Sequence, residues 1–371
     1  MRLHPMVLCL ALMVVDCGGL SSSGEPAPTQ PQAAIPSIAT VAAQNGAVVV
    51  TLSDSTAGVT IHYTVDGSKP TANSPQYFAP FLVASNLTVN AVAFISGEAS
   101  ANVTRTFTPH IASGTLVWSD EFTNTTTANA QPNPAVWTYD AGGPAAFGNQ
   151  ELEIYCAWGS STSPCDATKP NAYVGTDGYL HIVAENPSPT VYTSARLKTQ
   201  NLFSMEYGRL EARIWLPEAQ GLWPAFWLLG NSIATVNWPA CGEQDVMEHI
   251  DMPSPDWVEG SVHGTGFIGS AGLGTKYNFP TGQTAAGWHT YGMAWSKGSV
   301  AYYMDDPAHP YAIFATASIK GFKGAVWPFD DGQSNFILLN LAVGGDWPGA
   351  PNATTPFPSQ MLVDYVRIYT N

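Results

Sequence analysis

The stretch Gly242-Glu243-Gln244-Asp245-Val246-Met247-Glu248 puts three carboxylates into a span of six residues, in a chain where only 11% of residues are charged. Val246, Met247 and Ile250 favour an extended, packed segment, so Glu243 to Glu248 reads as a strand with acids on its working face. Side chains alternate along a strand, so Glu243 and Asp245 share a face while Glu248 points the other way. One extra residue at Val246-Met247 would shift the alternation by one and return Glu248 to the face of the other two. A β-bulge is therefore predicted there.

Cleaving a glycosidic bond takes two carboxyl groups flanking the bond, one kept protonated as general acid and one ionised as nucleophile or base. A third acid between them can hydrogen-bond the nucleophile and, as a close like charge, push the titrations apart. Acids in clusters also occur on solvated strand faces or around cations, and what distinguishes this one is its neighbourhood. Trp223-Pro224-Ala225-Phe226-Trp227-Leu228-Leu229-Gly230 lies just upstream, and Trp238-Pro239-Ala240-Cys241 leads in. Aromatic faces stack on the apolar faces of sugar rings, so acids among tryptophans suit a sugar groove. Trp223 and Trp227 share a face by spacing, and at least one of them is expected to stack on substrate, with Trp238 a third candidate.

Tyr207-Gly208-Arg209-Leu210-Glu211-Ala212-Arg213, the Trp223 to Gly230 run and Glu243-Gln244-Asp245-Val246-Met247-Glu248 resemble, in order, the bacterial laminarinase branch of glycoside hydrolase family 16. The resemblance covers about Thr115 to Asn371. It implies a jelly-roll β-sandwich and retaining endo-hydrolysis of β-glucan, with Glu243 at the nucleophile position, Asp245 at the assisting acid and Glu248 at the acid/base. Gln244 departs from it, standing where the family more often has Ile or Leu. Asn149, in Asn149-Gln150-Glu151-Leu152-Glu153-Ile154-Tyr155, and Arg196 match positions that line the groove, where a guanidinium fork can reach sugar hydroxyls. His263, in Val262-His263-Gly264, matches a cleft histidine near the acid/base. His249 is expected to face away. Glu121 and Asp364 match two ligands of a structural Ca²⁺, an ion that oxygen ligands suit. No cofactor is expected for catalysis, and no His/Cys cluster has zinc-ligand spacing. The alternatives are a mixed-linkage β-1,3-1,4-glucanase, a transglycosylase, a non-catalytic glucan-binding protein and a surface structural protein.

Composition fits this picture. The formal net charge of −15 disfavours nucleic acid or anionic membrane as partner and suits a neutral polymer such as β-glucan. Short strands and turns run through residues 115–371 with little helical periodicity, the pattern of a large sandwich. Residues 1–17 read as a secretory signal, a basic start followed by an apolar core from Met6 to Val15 that is too short for a stable span. Cys17 offers a lipid-attachment site, so a chain anchored at the bacterial envelope and a freely secreted one are both open. A monomer is expected. Residues 18–35 are a tether rich in Ser, Pro and Gly. Residues 36–110 alternate β-rich runs with Asp66-Gly67 and Ser96-Gly97 turns, which indicates a small Ig-like sandwich. The run from His62 to Thr71, with Tyr77 and Pro80, resembles the Ig-like module at the C-terminus of chitobiases. A spacer role is preferred for it over carbohydrate binding, because few aromatics could form a platform. Cys156 and Cys165 bracket a short loop that a disulfide could close, leaving Cys241 as a small buried hydrophobe.

Overall fold

The computed structural model describes residues 32–371 apart from 125, 144–147, 253, 270 and 271. The signal, Cys17 and most of the tether lie outside the described residues.

The small module is the expected two-layer sandwich. Ser37–Ala42, Val48–Ser53 and Phe81–Val83 form one sheet, and Thr60–Thr64, Leu87–Ile95, Glu98–Ala99 and Val103–Phe107 form the other. Val50, Leu52, Tyr63, Phe81 and Val89 fill the space between them.

It is docked on the large domain. Ala47, 1% exposed, packs into the same core cluster as Trp118 and Phe203 of the large domain. Gln44 N–H donates to Val117 O at 3.0 Å, Leu82 N–H to Ser204 O at 3.0 Å and Ser204 Oγ to Pro80 O at 2.8 Å. Tyr63 Oη adds a bond to Gly332 O at 3.2 Å. Main-chain groups of the two domains thus satisfy each other, which a tethered bead would leave to water.

In the large domain, two sheets enclose one core. The seven-stranded sheet runs in the order Leu273–Asn278, Trp257–His263, Glu243–Glu248, Leu222–Gly230, Asn335–Val343, Arg196–Lys198, Thr138–Asp140. The larger sheet is built around Ser359–Tyr369, Gly208–Leu216 and Gly287–Ser296. Strand Asn335–Val343 is buried over all nine residues. At about 1.5–3 kcal/mol per fully buried large apolar side chain, it is a principal anchor of the sandwich. Alternation decides what faces where. Leu222, Phe226 and Leu228 point into the core, and Trp223 and Trp227 point out of it.

On the far side of the molecule, strand Gly208–Leu216 turns Arg209, Glu211 and Arg213 away from the core, yet Glu211 is only 6% exposed. The Tyr303 and Tyr369 hydroxyls both donate to its carboxylate.

The disulfide Cys156–Cys165 is present, with Cα atoms 5.7 Å apart, and Cys241 is buried and free.

Candidate active site

The acid strand carries the predicted bulge. Against strand Leu222–Gly230, Asp245 pairs with Trp227 and Met247 with Phe226, so Val246 has no partner of its own. Against Trp257–His263, Asp245 pairs with Ser261 and Glu248 with Glu259, again leaving one residue over. Three parallel rows of side chains therefore cross the outer face of the sheet. Leu229, Glu243 and His263 form the first, Leu338, Trp227, Asp245 and Ser261 the second, and Arg196, Asn340, Ala225, Glu248 and Glu259 the third. The small Ala225 beside Glu248 leaves room above the acid.

The inward face shows the cost of one substitution. Gln244 is fully buried, and neither its side-chain oxygen nor its nitrogen has a hydrogen-bond partner.

Indole N–H groups reach the two outer acids. Trp238 Nε1 donates to Glu243 Oε2 at 2.8 Å, and Trp223 Nε1 donates to Glu248 Oε1 at 3.0 Å. Trp227 Nε1 instead donates to Asn340 Oδ1 at 2.8 Å, and the Arg196 guanidinium lies over its ring at 4.5 Å. Arg196 is also ion-paired with Asp140 at 3.2 Å. Trp238 is 45% exposed, the most open aromatic of the group.

Asp245 is the hub. Ser261 Oγ donates to its Oδ2 at 2.6 Å, and His263 Nε2 lies 3.1 Å from the same oxygen and 3.9 Å from Glu243 Oε1. Burial alone would lower the His263 titration, but the hydrogen bond and charge of Asp245, with Glu243 and Glu248 behind it, outweigh burial and push it up to about 9. Burial and the Asp245 charge push both outer acids up, opposed by the His263 cation and an indole N–H at each. Glu243 rises to about 8, and Glu248, which also feels the charge of Glu243, is likewise held well above the ordinary carboxylate range.

The remaining expectations divide. Asn149 has a left-handed backbone (φ 54°), and its carbonyl accepts from Asp346 N–H at 2.7 Å, which sets it at the Gly345 edge beside Trp223. His249 faces away from the groove, its Nδ1 bonded to Trp257 O at 2.8 Å.

The calcium expectation meets a different arrangement. Arg367 grips both oxygens of Glu121 at 2.9 and 2.8 Å, and Arg213 holds Asp364 at 2.7 Å. A guanidinium occupies the place beside each carboxylate where a cation would need to bind, so these residues do not fit an oxygen-only cage.

Sequence reading passed over Trp347, Ser261 and Asn340. Trp347 meets Trp223 edge-on at 5.4 Å and Trp257 at 5.8 Å. Its signal was an aromatic in the Gly344-Gly345-Asp346-Trp347 loop directly after the most buried strand. Ser261 and Asn340 gave none, because their roles come from cross-strand register.

Residues 160–365 match the profile of Glycosyl hydrolases family 16, and residues 41–106 that of the Chitobiase/beta-hexosaminidase C-terminal domain. The chain is 36% identical over 264 residues to the beta-glucanase of Rhodothermus marinus, spanning 68% of this chain and 84% of that protein. Among solved structures, the laminarinase catalytic domain from Thermotoga maritima MSB8 superposes with a TM-score of 0.60 at 35% identity, covering 70% of this chain and 99% of that one. The endo-beta-1,3-glucanase from Pyrococcus furiosus gives a TM-score of 0.60 at 36% identity, covering 75% and 97%. With the bulged acid strand, the aromatic groove and the two-sheet frame all accounted for, this chain belongs to glycoside hydrolase family 16 and carries a chitobiase C-terminal-like module ahead of the family domain.

Proposed function

We propose that the protein is an endo-hydrolase of β-1,3-glucan that works by double displacement with retention. The observation that carries this reading is the row geometry of the acid strand, where the bulge at Val246 turns Glu243, Asp245 and Glu248 to one aromatic-lined face.

Glu243, ionised and steadied by the Trp238 N–H, attacks the anomeric carbon. As the C1–O bond breaks, the Glu248 proton passes to the leaving oxygen. Water then attacks the glycosyl-enzyme, its proton returns to Glu248, and Glu243 leaves as carboxylate. Asp245, paired with His263, keeps negative charge between the two and raises the proton affinity of Glu248. Trp223, Trp238, Asn149 and Arg196 line the groove for the glucan chain, with Trp227 held behind Arg196.

We also propose that the chain is exported, freely or anchored through Cys17. The Cys156–Cys165 disulfide supports an oxidising compartment.

The purified chain, offered a soluble β-1,3-glucan, a mixed-linkage glucan and a galactan, should release a ladder of short oligomers fastest from the first. Preference for the mixed-linkage polymer would correct the substrate. No reducing ends from any of them, with the protein folded, would overturn the hydrolase reading.

A further inference from the structure

Behind one wall of the groove lies a second pair of acids that the mechanism above does not use. Glu151 is 4% and Glu153 0% exposed. Glu153 Oε2 accepts the Val343 N–H at 2.7 Å, but its Oε1 is buried with no donor bonded to it. In hydrogen-bonding reach of Glu153 lie the Tyr155 hydroxyl and another carboxyl, that of Glu151. Glu151 in turn accepts from the Tyr155 hydroxyl at 3.1 Å and from Asn149 Nδ2 at 3.4 Å. Two ionised carboxylates buried in contact would repel at full strength, and an acceptor facing an acceptor makes no bond. A single hydrogen between them removes both problems.

We propose that Glu151 and Glu153 share one proton, Glu153 donating it to the Glu151 carboxylate, and that this bonded pair positions the aromatic wall of the groove. The wall is attached to the pair at several points. Leu152 N–H donates to Val343 O at 2.7 Å, so Val343 is held from both sides. Gly344 and Gly345 follow with φ of 71° and 125°, and a Cβ on Gly344 would come within 2.6 Å of the Leu152 side chain. Only glycine can make this close approach. The next residues are Asp346, bonded to Asn149 O, and Trp347, packed on Trp223, whose N–H reaches Glu248. A second branch runs from Tyr155, whose hydroxyl accepts from Asn340 Nδ2 at 3.3 Å, to Trp227. Glu151 and Glu153 are therefore positioning residues, and the groove residues they set are Asn149, Trp223 and Trp227.

The charged and titratable groups around Glu153 are few. Glu151 and Tyr155 come from its own segment, and Tyr192 is its register partner in strand Val191–Ser194. Arg196, ion-paired with Asp140, lies over the Tyr155 ring at 6.0 Å. Strand Asn335–Val343 brings none. Burial first, then the hydrogen bond and charge of Glu151, push Glu153 up to about 8. An acid whose titration is raised on folding stabilises the fold fully below the ordinary carboxylate range and loses that contribution as pH rises through the folded value. When Glu153 gives its proton to solvent, two negative charges stand in contact and the wall loosens.

Glu153→Gln tests this, because an amide keeps a donor toward Glu151 at every pH. Urea unfolding of the full chain between about pH 5 and about pH 8 reads the proton directly, since one proton bound only in the folded state changes the unfolding constant tenfold per pH unit. The slope of stability against pH should be shallower by that amount in Glu153→Gln. If that variant does not fold, Glu151→Gln, with its amide facing Glu153, serves the same purpose. Slopes equal to wild type would overturn the shared proton.

The positioning claim, which rests on the glucan reading, has its own readout. KM for a soluble β-1,3-glucan should rise with alkaline pH in wild type and stay flat in Glu153→Gln, while the alkaline fall of kcat set by Glu248 is common to both. A KM profile unchanged by the substitution would overturn the positioning role. A changed stability slope in a protein that cuts no glucan would leave the pair standing and remove the substrate assignment instead.

Discussion

At the scale of single residues, the account assigns distinct duties to acids of the same chemical type, and substitution separates them. Glu248→Gln should lower kcat on β-1,3-glucan by at least about 10²–10⁴-fold, the usual worth of a general acid, and Glu243→Gln should abolish covalent catalysis altogether. Circular dichroism should show both variants folded. Gln244 offers the reverse experiment. A buried amide with no partner costs about 1–3 kcal/mol, whereas an apolar side chain of similar size restores packing. Gln244→Leu should therefore raise stability by about 1–2 kcal/mol in urea unfolding with activity unchanged. The acids and the groove tryptophans were legible because spacing and residue type point to the same chemistry, and His263 was legible only through the resemblance of Val262-His263-Gly264 to the family's strand. Glu121 and Asp364 were legible as a pair of acids but not as ion-paired ones. Arg367 and Arg213 come from positions in the two strands that only register brings alongside them. Trp227 was legible as facing outward, but not as held by Asn340 beneath a guanidinium.

At the scale of elements, the bulge is the feature most fully readable in advance. A strict period of two cannot put Glu243, Asp245 and Glu248 on one face, so a groove that needs all three needs an extra residue. Register across the neighbouring strands gave no such handle, and so Ser261 and Asn340 went unrecognised, whereas Trp347 sits in the loop after the strand Asn335–Val343, where its aromatic side chain was the signal. The Cys156–Cys165 loop was readable because its ends are so close in sequence. Closing a loop of this length stabilises by about 2.5 kcal/mol through the unfolded chain. Reduction, or Cys165→Ser, should lower urea stability by about that amount while the folded protein still cuts glucan. An unchanged midpoint would mean that the loop is equally ordered without the bridge.

At the scale of the whole molecule, the sequence showed two domains but not how they meet. The docking surface consists of main-chain groups and of small residues such as Ala47, which carry no sequence signature. Because Ala47 belongs to the large domain's core and Leu82 and Ser204 bond through their backbones, the two domains should unfold together. Calorimetry should show one transition, and a chain beginning after residue 110 should melt several degrees lower. Two separate transitions would mean that the domains unfold independently. The central claim, double displacement by Glu243 and Glu248, is tested most directly by following the anomeric protons by NMR as the enzyme first acts on a soluble β-1,3-glucan. The account predicts that the β-anomer of the new reducing end appears first and the α-anomer only later, by mutarotation. Initial appearance of the α-anomer would mean inversion, and would contradict the roles given to both acids.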